Sequence, residues 1–113
     1  MIDFACKSIE VEDLIRCSFQ LSKTEYMVLE TLLGTDGKDA KELAKKLELD
    51  RSTVHKSLKT LQERELVKRR QYNVPSGGYK YVYRTKEKGE IKKRVRELIE
   101  TWSSSADQAI RDW

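Results

Sequence analysis

The sequence predicts one mainly α-helical domain that carries a small β-hairpin, and three observations support this fold class. Apolar residues recur at three- and four-residue spacing in five segments, as on the buried face of a helix. Ser22 and Asp39 each stand three residues before a glutamate, a spacing typical of helix N-termini. Residues 79–84 are rich in β-forming side chains that alternate between two faces. A chain of 113 residues is long enough for one such domain, 1–113, with a modest core.

Residues 8–19 are predicted to form an N-terminal amphipathic helix. Its apolar face would consist of Val11, Leu14, Ile15 and Phe19. The first turn is acidic, and the helix dipole favours negative charge there. Because this apolar face is small, we expect the helix to pack against a distant part of the chain.

Two cysteines, Cys6 and Cys17, are too few for a disulfide framework, and no metal-ligand spacing surrounds them. We expect them to be small buried thiols, the usual state of free cysteines. A redox-sensing pair is the alternative, and it would need exposed thiolates.

Two capping boxes predict the next two helices. In the first, the Ser22 hydroxyl accepts a hydrogen bond from the backbone of Glu25, whose carboxylate accepts one from the Ser22 amide. Asp39 and Glu42 repeat this arrangement. Gly34 is predicted to end the first of these helices, since glycine readily adopts the left-handed conformation common at helix ends.

Only the residues E-L-D separate the third helix from a fourth, which Asp50 is predicted to cap. The buried stripe of this fourth helix would consist of Val54, Leu58 and Leu61. Its outer side is small, polar and basic, and comprises Ser52, Lys56, Lys59 and Glu63, flanked by Thr53 and Thr60. Two short helices joined by a tight turn, the second polar on its outer face, are typical of a helix-turn-helix.

A β-hairpin is predicted after the fourth helix. Its first strand covers residues 66–71 and contains the basic triplet Lys68, Arg69 and Arg70. Pro75 and the pair Gly77–Gly78 mark the turn. In the second strand the three tyrosines fall on one face, opposite Lys80, Val82 and Arg84. A basic hairpin directly after a polar helix is typical of the wing of a winged helix-turn-helix.

Residues 86–113 are predicted to form a C-terminal helix whose seam is Ile91, Val95, Leu98 and Trp102. Serines 103–105 weaken the seam, and the later apolar residues continue at shifted spacing, which predicts a stutter or a break into two helices. A helix folded back on its own domain is one interpretation. A homodimer is favoured, because two tryptophans and a long seam exceed what so small a core can cover. The predicted dimer interface comprises Leu14, Ile15, Ile91, Val95, Leu98, Trp102 and Ile110.

Charge is segregated along the chain, whose net charge is +4. Residues 38–94 contain 18 Lys/Arg and 8 Asp/Glu, a surplus of ten positive charges. Residues 1–37 carry a net charge of −4, and residues 95–113 carry −2. A basic middle between acidic ends indicates that the middle meets a polyanion.

Several classes of protein are disfavoured. No apolar run approaches the roughly 20 residues that span a bilayer, and the N-terminus lacks the layout of a signal peptide. A cytoplasmic protein without membrane contact is therefore expected. No cofactor or metal site is predicted. An enzyme is disfavoured because His55 has no cysteine or carboxylate constellation around it, and Ser52 has no base at a meaningful spacing.

Four blocks of sequence, in their order, resemble one family. The blocks are LSKTEYMVLETLL, AKELAKKL, RSTVHKSLKTLQERELV and GYKYVY. Together they are similar to the winged helix-turn-helix of archaeal and bacterial regulators, above all the DNA-binding domain of the TrmB family and the related MarR-type repressors. The resemblance covers residues 21–84. It implies a transcription regulator, of archaeal type, that binds double-stranded operator DNA as a homodimer.

The resemblance also implies candidate DNA-binding residues. By position, the groove-facing side of the recognition helix is Ser52, Thr53, His55, Lys56 and Lys59. The wing strands contribute Arg69, Arg70 and Lys80, and the neighbouring cations Arg51 and Lys68 complete the set. Two protomers would place residues 52–59 in successive major grooves, roughly 34 Å apart.

The sequence departs from the family at two points. Glu65 stands where the family usually has glycine between the recognition helix and the first wing strand. We therefore expect the end of that helix to be built differently, for instance as a tightened last turn. TrmB regulators also carry a long sugar-binding domain after the winged helix, so sugar sensing is not expected of the 113 residues here.

A protein-interaction module is the alternative function. In that interpretation the winged helix is a scaffold, and the C-terminal helix docks a partner within a transcription complex. The basic segment 38–94 argues against it. No particular small-molecule effector is predicted.

Overall fold

Five α-helices and two antiparallel β-hairpins make up the fold in a computed structural model that describes residues 1–113. In chain order the elements are β1 Ile2–Phe4, β2 Lys7–Ile9, α1 Val11–Phe19, α2 Lys23–Leu32, α3 Ala40–Leu47, α4 Arg51–Glu63, β3 Val67–Asn73, β4 Tyr79–Thr85 and α5 Lys88–Arg111. The predicted fold class, a mainly helical winged helix with flanking helices, is confirmed. None of the helices combines the length and the apolar character needed to cross a membrane.

The core lies where α2, α3 and α4 meet the root of the β3–β4 hairpin. The predicted stripe on α4 is confirmed, since Val54, Leu58 and Leu61 are all fully buried. The other fully buried side chains are Val28, Leu29, Leu32, Leu43 and Leu66. Burying one such side chain stabilises the fold by roughly 1.5–3 kcal/mol. The cluster therefore holds the inner faces of α2, α3 and α4 together.

Both predicted capping boxes are present. Ser22 Oγ accepts a hydrogen bond from the Glu25 amide at 3.1 Å, and the Glu25 carboxylate accepts one from the Ser22 amide at 2.8 Å. The corresponding distances for Asp39 and Glu42 are 2.7 and 3.4 Å. Gly34 adopts φ +82° just after α2, as predicted. The sequence therefore predicts the starts of these helices correctly.

The N-terminal helix is shorter than predicted. It begins at Val11 rather than at residue 8, because Glu10 is its N-cap and the Glu10 amide donates to the Asp13 carboxylate at 3.0 Å. Residues 2–9 form the β1–β2 hairpin, which was not predicted. Its strands have three residues each and turn through Ala5 at φ +49°, so neither length nor a glycine marks it in the sequence.

The two cysteines lie on the surface. Cys6 is in the turn between β1 and β2, and Cys17 is in α1, and both are exposed. The prediction that they are buried thiols is wrong. Residue type alone predicted burial, whereas their position on a short exposed hairpin and on the outer side of α1 determines exposure.

The end of α4 also differs from the prediction. Glu65 itself adopts the left-handed conformation, with φ +58°. Its amide donates to the Gln62 carbonyl at 2.9 Å, and the Leu66 amide donates to the Leu61 carbonyl at 2.9 Å. This pair of bonds is a Schellman motif, which satisfies the last carbonyls of the helix. The expected tightened last turn is therefore wrong, and the glutamate takes the conformation that glycine has in the family pattern.

α5 runs unbroken through the serine triplet, so the predicted break is wrong. Ile91 and Trp102 are eleven residues apart, which is close to three turns of a straight helix. These two residues therefore lie on one line along α5, whereas Ile110, eight residues after Trp102, lies to one side of that line. The first turns of α5 pack on the domain, and the remainder projects from it. The long dimension is 65 Å, and the radius of gyration is 17.4 Å against about 13 Å for a compact chain of this length.

The α2–α3 loop contributes a contact to the wing. Lys38 forms an antiparallel bridge with Tyr83, through amide-to-carbonyl distances of 3.0 and 2.8 Å. Gly37 precedes it at φ +127°, and a Cβ atom there would lie 2.7 Å from Val82 Cγ1. The base of the wing is therefore held by a one-residue β-bridge that the sequence pattern did not predict.

Candidate nucleic-acid interface

The N-terminus of α4 is held by Asp50. Its carboxylate accepts a hydrogen bond from the Thr53 amide at 2.9 Å and one from Ser52 Oγ at 3.4 Å. Hydrogen bonds from the Thr53 side chain and then from its backbone lower the pKa of Asp50 below its ordinary value, with Ser52 and Lys56 acting in the same direction. The cap is thus an ionised carboxylate at neutral pH, as its position at the positive end of the helix dipole favours.

The side of α4 opposite the buried stripe is open to solvent. We call this surface the α4 outer face, and it comprises Arg51, Ser52, His55, Lys56 and Lys59, all exposed. Thr53 lies at its edge and is half-buried. The first turn contains no acidic residue after the cap, so free amides and cations dominate this end of the helix. Such a surface can attract an anion and hydrogen-bond to it.

The wing has two different faces. Strand pairing places Lys68, Arg70 and Tyr72 directly opposite Arg84, Val82 and Lys80, respectively. Because side chains alternate across a strand, these six residues share one face. We call it the outer wing face, and its four cations, Lys68, Arg70, Lys80 and Arg84, are all exposed. Arg70 also lies over the Tyr72 ring, with its Cζ atom 5.4 Å from the ring centroid.

Arg69 lies on the other face, with the tyrosines, and not beside Arg70 and Lys80. Its Cζ atom is 4.1 Å from the centroid of the Tyr81 ring, which in turn makes an edge contact with Tyr79 at 5.4 Å. A guanidinium stacked on a tyrosine is held in place and keeps its outer donors free. The predicted wing cations therefore lie on both faces of one hairpin.

Arg84 belongs to the outer wing face, although it is not among the DNA-binding residues predicted from the sequence. It sits directly across the strand pair from Lys68. Like charges in directly opposite positions destabilise a hairpin unless an anion lies between them. The alternation of the second strand places Arg84 beside Lys80, but the register that places it opposite Lys68 requires the structure.

The predicted dimer residues separate into two groups. Ile91 and Val95 are only 5% and 9% exposed, because they pack in the core of their own chain. The prediction that Ile91 and Val95 lie on an exposed seam is therefore corrected, because their own domain covers them. Leu98, Trp102 and Ile110 are 45%, 65% and 70% exposed on the projecting part of α5. We call residues 98–113 the α5 arm.

Leu14 and Ile15, the α1 part of the predicted interface, are half-buried. They line an open groove of about 1,000 Å³ between α1, α2 and the first turns of α5. Ile91 and Val95 contribute to the wall of the same groove. The structure thus brings the α1 residues to the foot of the α5 arm.

Comparison with known proteins identifies the family. The profile described as "Sugar-specific transcriptional regulator TrmB" matches residues 15–88. The chain belongs to the TrmB family of transcription regulators. An uncharacterised protein of Methanocaldococcus jannaschii, MJ1082, is 32% identical to this TrmB-family chain over 95% of it and 85% of the relative.

Two solved structures resemble the fold. A possible transcriptional regulator from Methanosarcina mazei Go1 is 38% identical, with a TM-score of 0.88 over 100% of this TrmB-family chain and 96% of its own. A mutant of S. aureus MepR bound to an oligodeoxyribonucleotide is 16% identical, with a TM-score of 0.58 over 86% and 71% of the two chains. At that identity the likeness to MepR is one of fold alone. The predicted resemblance to TrmB and MarR-type regulators is confirmed.

Proposed function

We propose that this protein binds double-stranded DNA sequence-specifically, as a homodimer, to regulate transcription. The observation that carries the proposal is that two exposed cationic surfaces, the α4 outer face and the outer wing face, lie on consecutive elements. Only residues 64–66 separate α4 from β3. Together with membership of a family of transcription regulators, this arrangement favours DNA over another polyanion.

Phosphate attraction is the first part of the proposed mechanism. The four cations of the outer wing face would lie along the DNA backbone, where a phosphate between Lys68 and Arg84 relieves their mutual repulsion. Lys45 and Lys46, exposed in the last turn of α3, would add to this sequence-independent attraction. Arg69, on the tyrosine face, would reach the minor groove from the other side of the wing.

Base reading is the second part. Ser52, Thr53 and Lys56 are the proposed readers, since they lie in the first turns of α4, which would enter the major groove. Hydroxyl groups contact either kind of base, and lysine prefers the acceptors of guanine. His55, Lys59 and Arg51 would contact the flanking phosphates.

The proposed homodimer follows from the α5 arm. Its exposed tryptophans and aliphatic side chains form an apolar stripe that projects from the domain with nothing of its own chain to cover it. Exposed apolar side chains that lie together on one element mark interaction sites more often than scattered ones do. A second copy offers the same stripe, so the two arms can bury each other about a two-fold axis.

Salt-dependent titration of duplex DNA tests the DNA-binding face. Arg70→Ala is expected to weaken binding to all sequences and to lower the slope of log affinity against log salt by about one. Lys56→Ala is expected to weaken binding to the preferred sequence by roughly 5- to 150-fold, the equivalent of about 1–3 kcal/mol. Lys7→Ala, which removes one exposed charge from β2, is the matched control. If all three variants bind like wild type, the assigned face is wrong.

Sedimentation velocity tests the homodimer. Trp102→Asp is expected to convert a dimer into a monomer, because it places a charge in the centre of the stripe. Ser104→Asp introduces the same charge two residues further along α5, on the side of the helix opposite Trp102, and should leave the dimer intact. A monomeric wild-type protein at micromolar concentration would refute the dimer.

A further inference from the structure

The last residues of α1 and α4 meet the second turn of α5 at four residues, Phe19, Arg64, Glu65 and Arg94. We call this cluster the Arg94 joint. Arg94 Nη2 donates to the Arg64 carbonyl at 2.8 Å, and Nη1 donates to the Glu65 carbonyl at 3.0 Å. The guanidinium also lies over the Phe19 ring, 4.8 Å from its centroid. Arg64 Nε in turn donates to the Phe19 carbonyl at 2.8 Å. One side chain of α5 therefore contacts the ends of two other helices.

Arg94 also stabilises the C-terminus of α4 electrostatically. The C-terminus of a helix carries the negative end of its dipole, which a cation stabilises. α4 has no basic residue in its own last turn, and Arg64, directly after it, donates its Nε hydrogen to the Phe19 carbonyl of α1 rather than to the carbonyls of α4. Arg94 supplies that cation from α5, and it binds the two carbonyls at the left-handed Schellman turn. A lysine could supply the charge but not the planar fork that holds two acceptors at a fixed angle.

The joint is also the directional part of the contact between α5 and the domain. The other buried α5 contacts are made by Ile91 and Val95, which pack through apolar surface. Apolar burial is non-directional, so it resists separation more than rotation. Hydrogen bonds from a guanidinium weaken steeply when their angle changes. A backbone bond from the Lys86 amide to the Leu66 carbonyl, at 2.9 Å, fixes where the chain enters α5. Within α5 itself, Arg94 supplies the hydrogen bonds that orient the helix relative to α4.

We infer that Arg94 is a positioning residue that sets the angle between α4 and the α5 arm, and thereby the separation of the two α4 helices in the dimer. The inference rests on the proposed function, because α4 would contact DNA and the arm would contact the second copy. A fixed angle in each protomer selects DNA half-sites at one spacing, near one helical turn. Without the joint, α4 keeps its fold through its buried stripe, but its direction relative to the arm varies.

A distance measurement that uses no DNA tests the angle. Spin labels are attached at His55→Cys and Ser104→Cys, both exposed, in a Cys6→Ser, Cys17→Ser background. The labelled protein is diluted with unlabelled protein so that electron–electron resonance reports distances within one chain. We expect one narrow distance distribution in the parent and a clearly broader one in Arg94→Met and in Arg94→Lys. Lys93→Met, an exposed neighbour that loses the same charge, should match the parent. A narrow, unshifted distribution in the folded Arg94→Lys protein would overturn the inference.

A DNA measurement tests the consequence. Duplexes carry two copies of the half-site selected by wild type, with their separation varied around the helical repeat of about 10 base pairs. Wild type should favour one separation by about tenfold, and Arg94→Lys should lose that preference while its affinity for a single half-site stays unchanged. An unchanged spacing preference in Arg94→Lys would overturn the inference. If wild type shifts no duplex, the proposed function fails, and the distance measurement still decides the role of Arg94.

Discussion

Replacing Glu65 by glycine should stabilise the protein, because Glu65 holds the left-handed conformation directly after α4 at φ +58°. For an L-residue with a side chain, this conformation costs roughly 1–2 kcal/mol. Glycine removes that cost, but it also makes the unfolded chain more flexible, which lowers stability by about 0.4–1 kcal/mol. The difference leaves a net gain of about 0.5–1 kcal/mol in the free energy of unfolding.

No other contact of Glu65 offsets this gain. Its side chain is exposed and takes no part in the ion pairs of the chain. The bonds that hold the turn, from its own amide to Gln62 and from Arg94 to its carbonyl, use backbone atoms that glycine retains. Removing a carboxylate from the C-terminal end of a helix should add a few tenths of a kcal/mol, about 0.3.

Urea and thermal unfolding measure the effect, with Glu65→Ala as the control. Alanine removes the carboxylate but keeps the Cβ atom, so it isolates the charge from the backbone conformation. We expect the glycine variant to melt about 2–6 °C above wild type and above the alanine variant. A glycine variant no more stable than the alanine variant would refute the assignment of strain at this turn.

Three further predictions concern the core, the base of the wing and the N-cap of α4. Leu61→Ala should lower the free energy of unfolding by about 2–5 kcal/mol in urea denaturation, because Leu61 is fully buried; a loss below 1 kcal/mol would contradict its place in the core. Gly37→Ala should cost about 1–3 kcal/mol, since it combines φ +127° with a clash against Val82, and an unchanged melting temperature would count against that geometry. Asp50→Ala should be less stable than wild type at neutral pH. Folding lowers the pKa of Asp50, so its contribution is complete above the ordinary value of 3.8 and is lost as the pH falls through the lower folded value. The difference between the two proteins should therefore shrink only below about pH 4, and a constant difference down to pH 2 would rule out the carboxylate as the cap.

Local patterns in the sequence predict most of the helices, because each pattern has a single local cause. The Ser22 and Asp39 boxes depend on residues three positions apart, and the structure contains both. The buried stripe of α4 follows from helical periodicity in the same way. The alternation of β4 likewise predicts that Tyr79 and Tyr81 share a face, and their rings are in contact. Structure that depends on residues close together in the sequence can therefore be predicted from the sequence.

Features that depend on distant contacts were predicted less well. The bond from Arg94 to Glu65 joins residues 29 apart, and the bridge from Lys38 to Tyr83 joins residues from separate elements. No periodicity encodes either of them. These contacts hold the end of α4 and the base of the wing. The orientation of the candidate interface therefore depends on long-range contacts that local sequence patterns do not predict.

The dimer residues illustrate the same difference. Spacing alone placed Ile91 and Trp102 on one stripe, and they do share one line along α5. Whether a residue on that line faces its own core or solvent depends on where the domain ends. Ile91 is buried against α1 and α2, whereas Trp102 lies beyond them.

Selection of bound duplexes from a pool of random double-stranded DNA bears most directly on the proposal that α4 and the wing read sequence in a dimer. We expect wild type to enrich a two-fold symmetric sequence whose half-sites are centred about 10 base pairs apart. Lys56→Ala should enrich it weakly or choose different bases in the half-site. A pool that shows no enrichment after selection with wild type would contradict the proposal, as would an identical selected sequence and affinity in the Lys56→Ala protein.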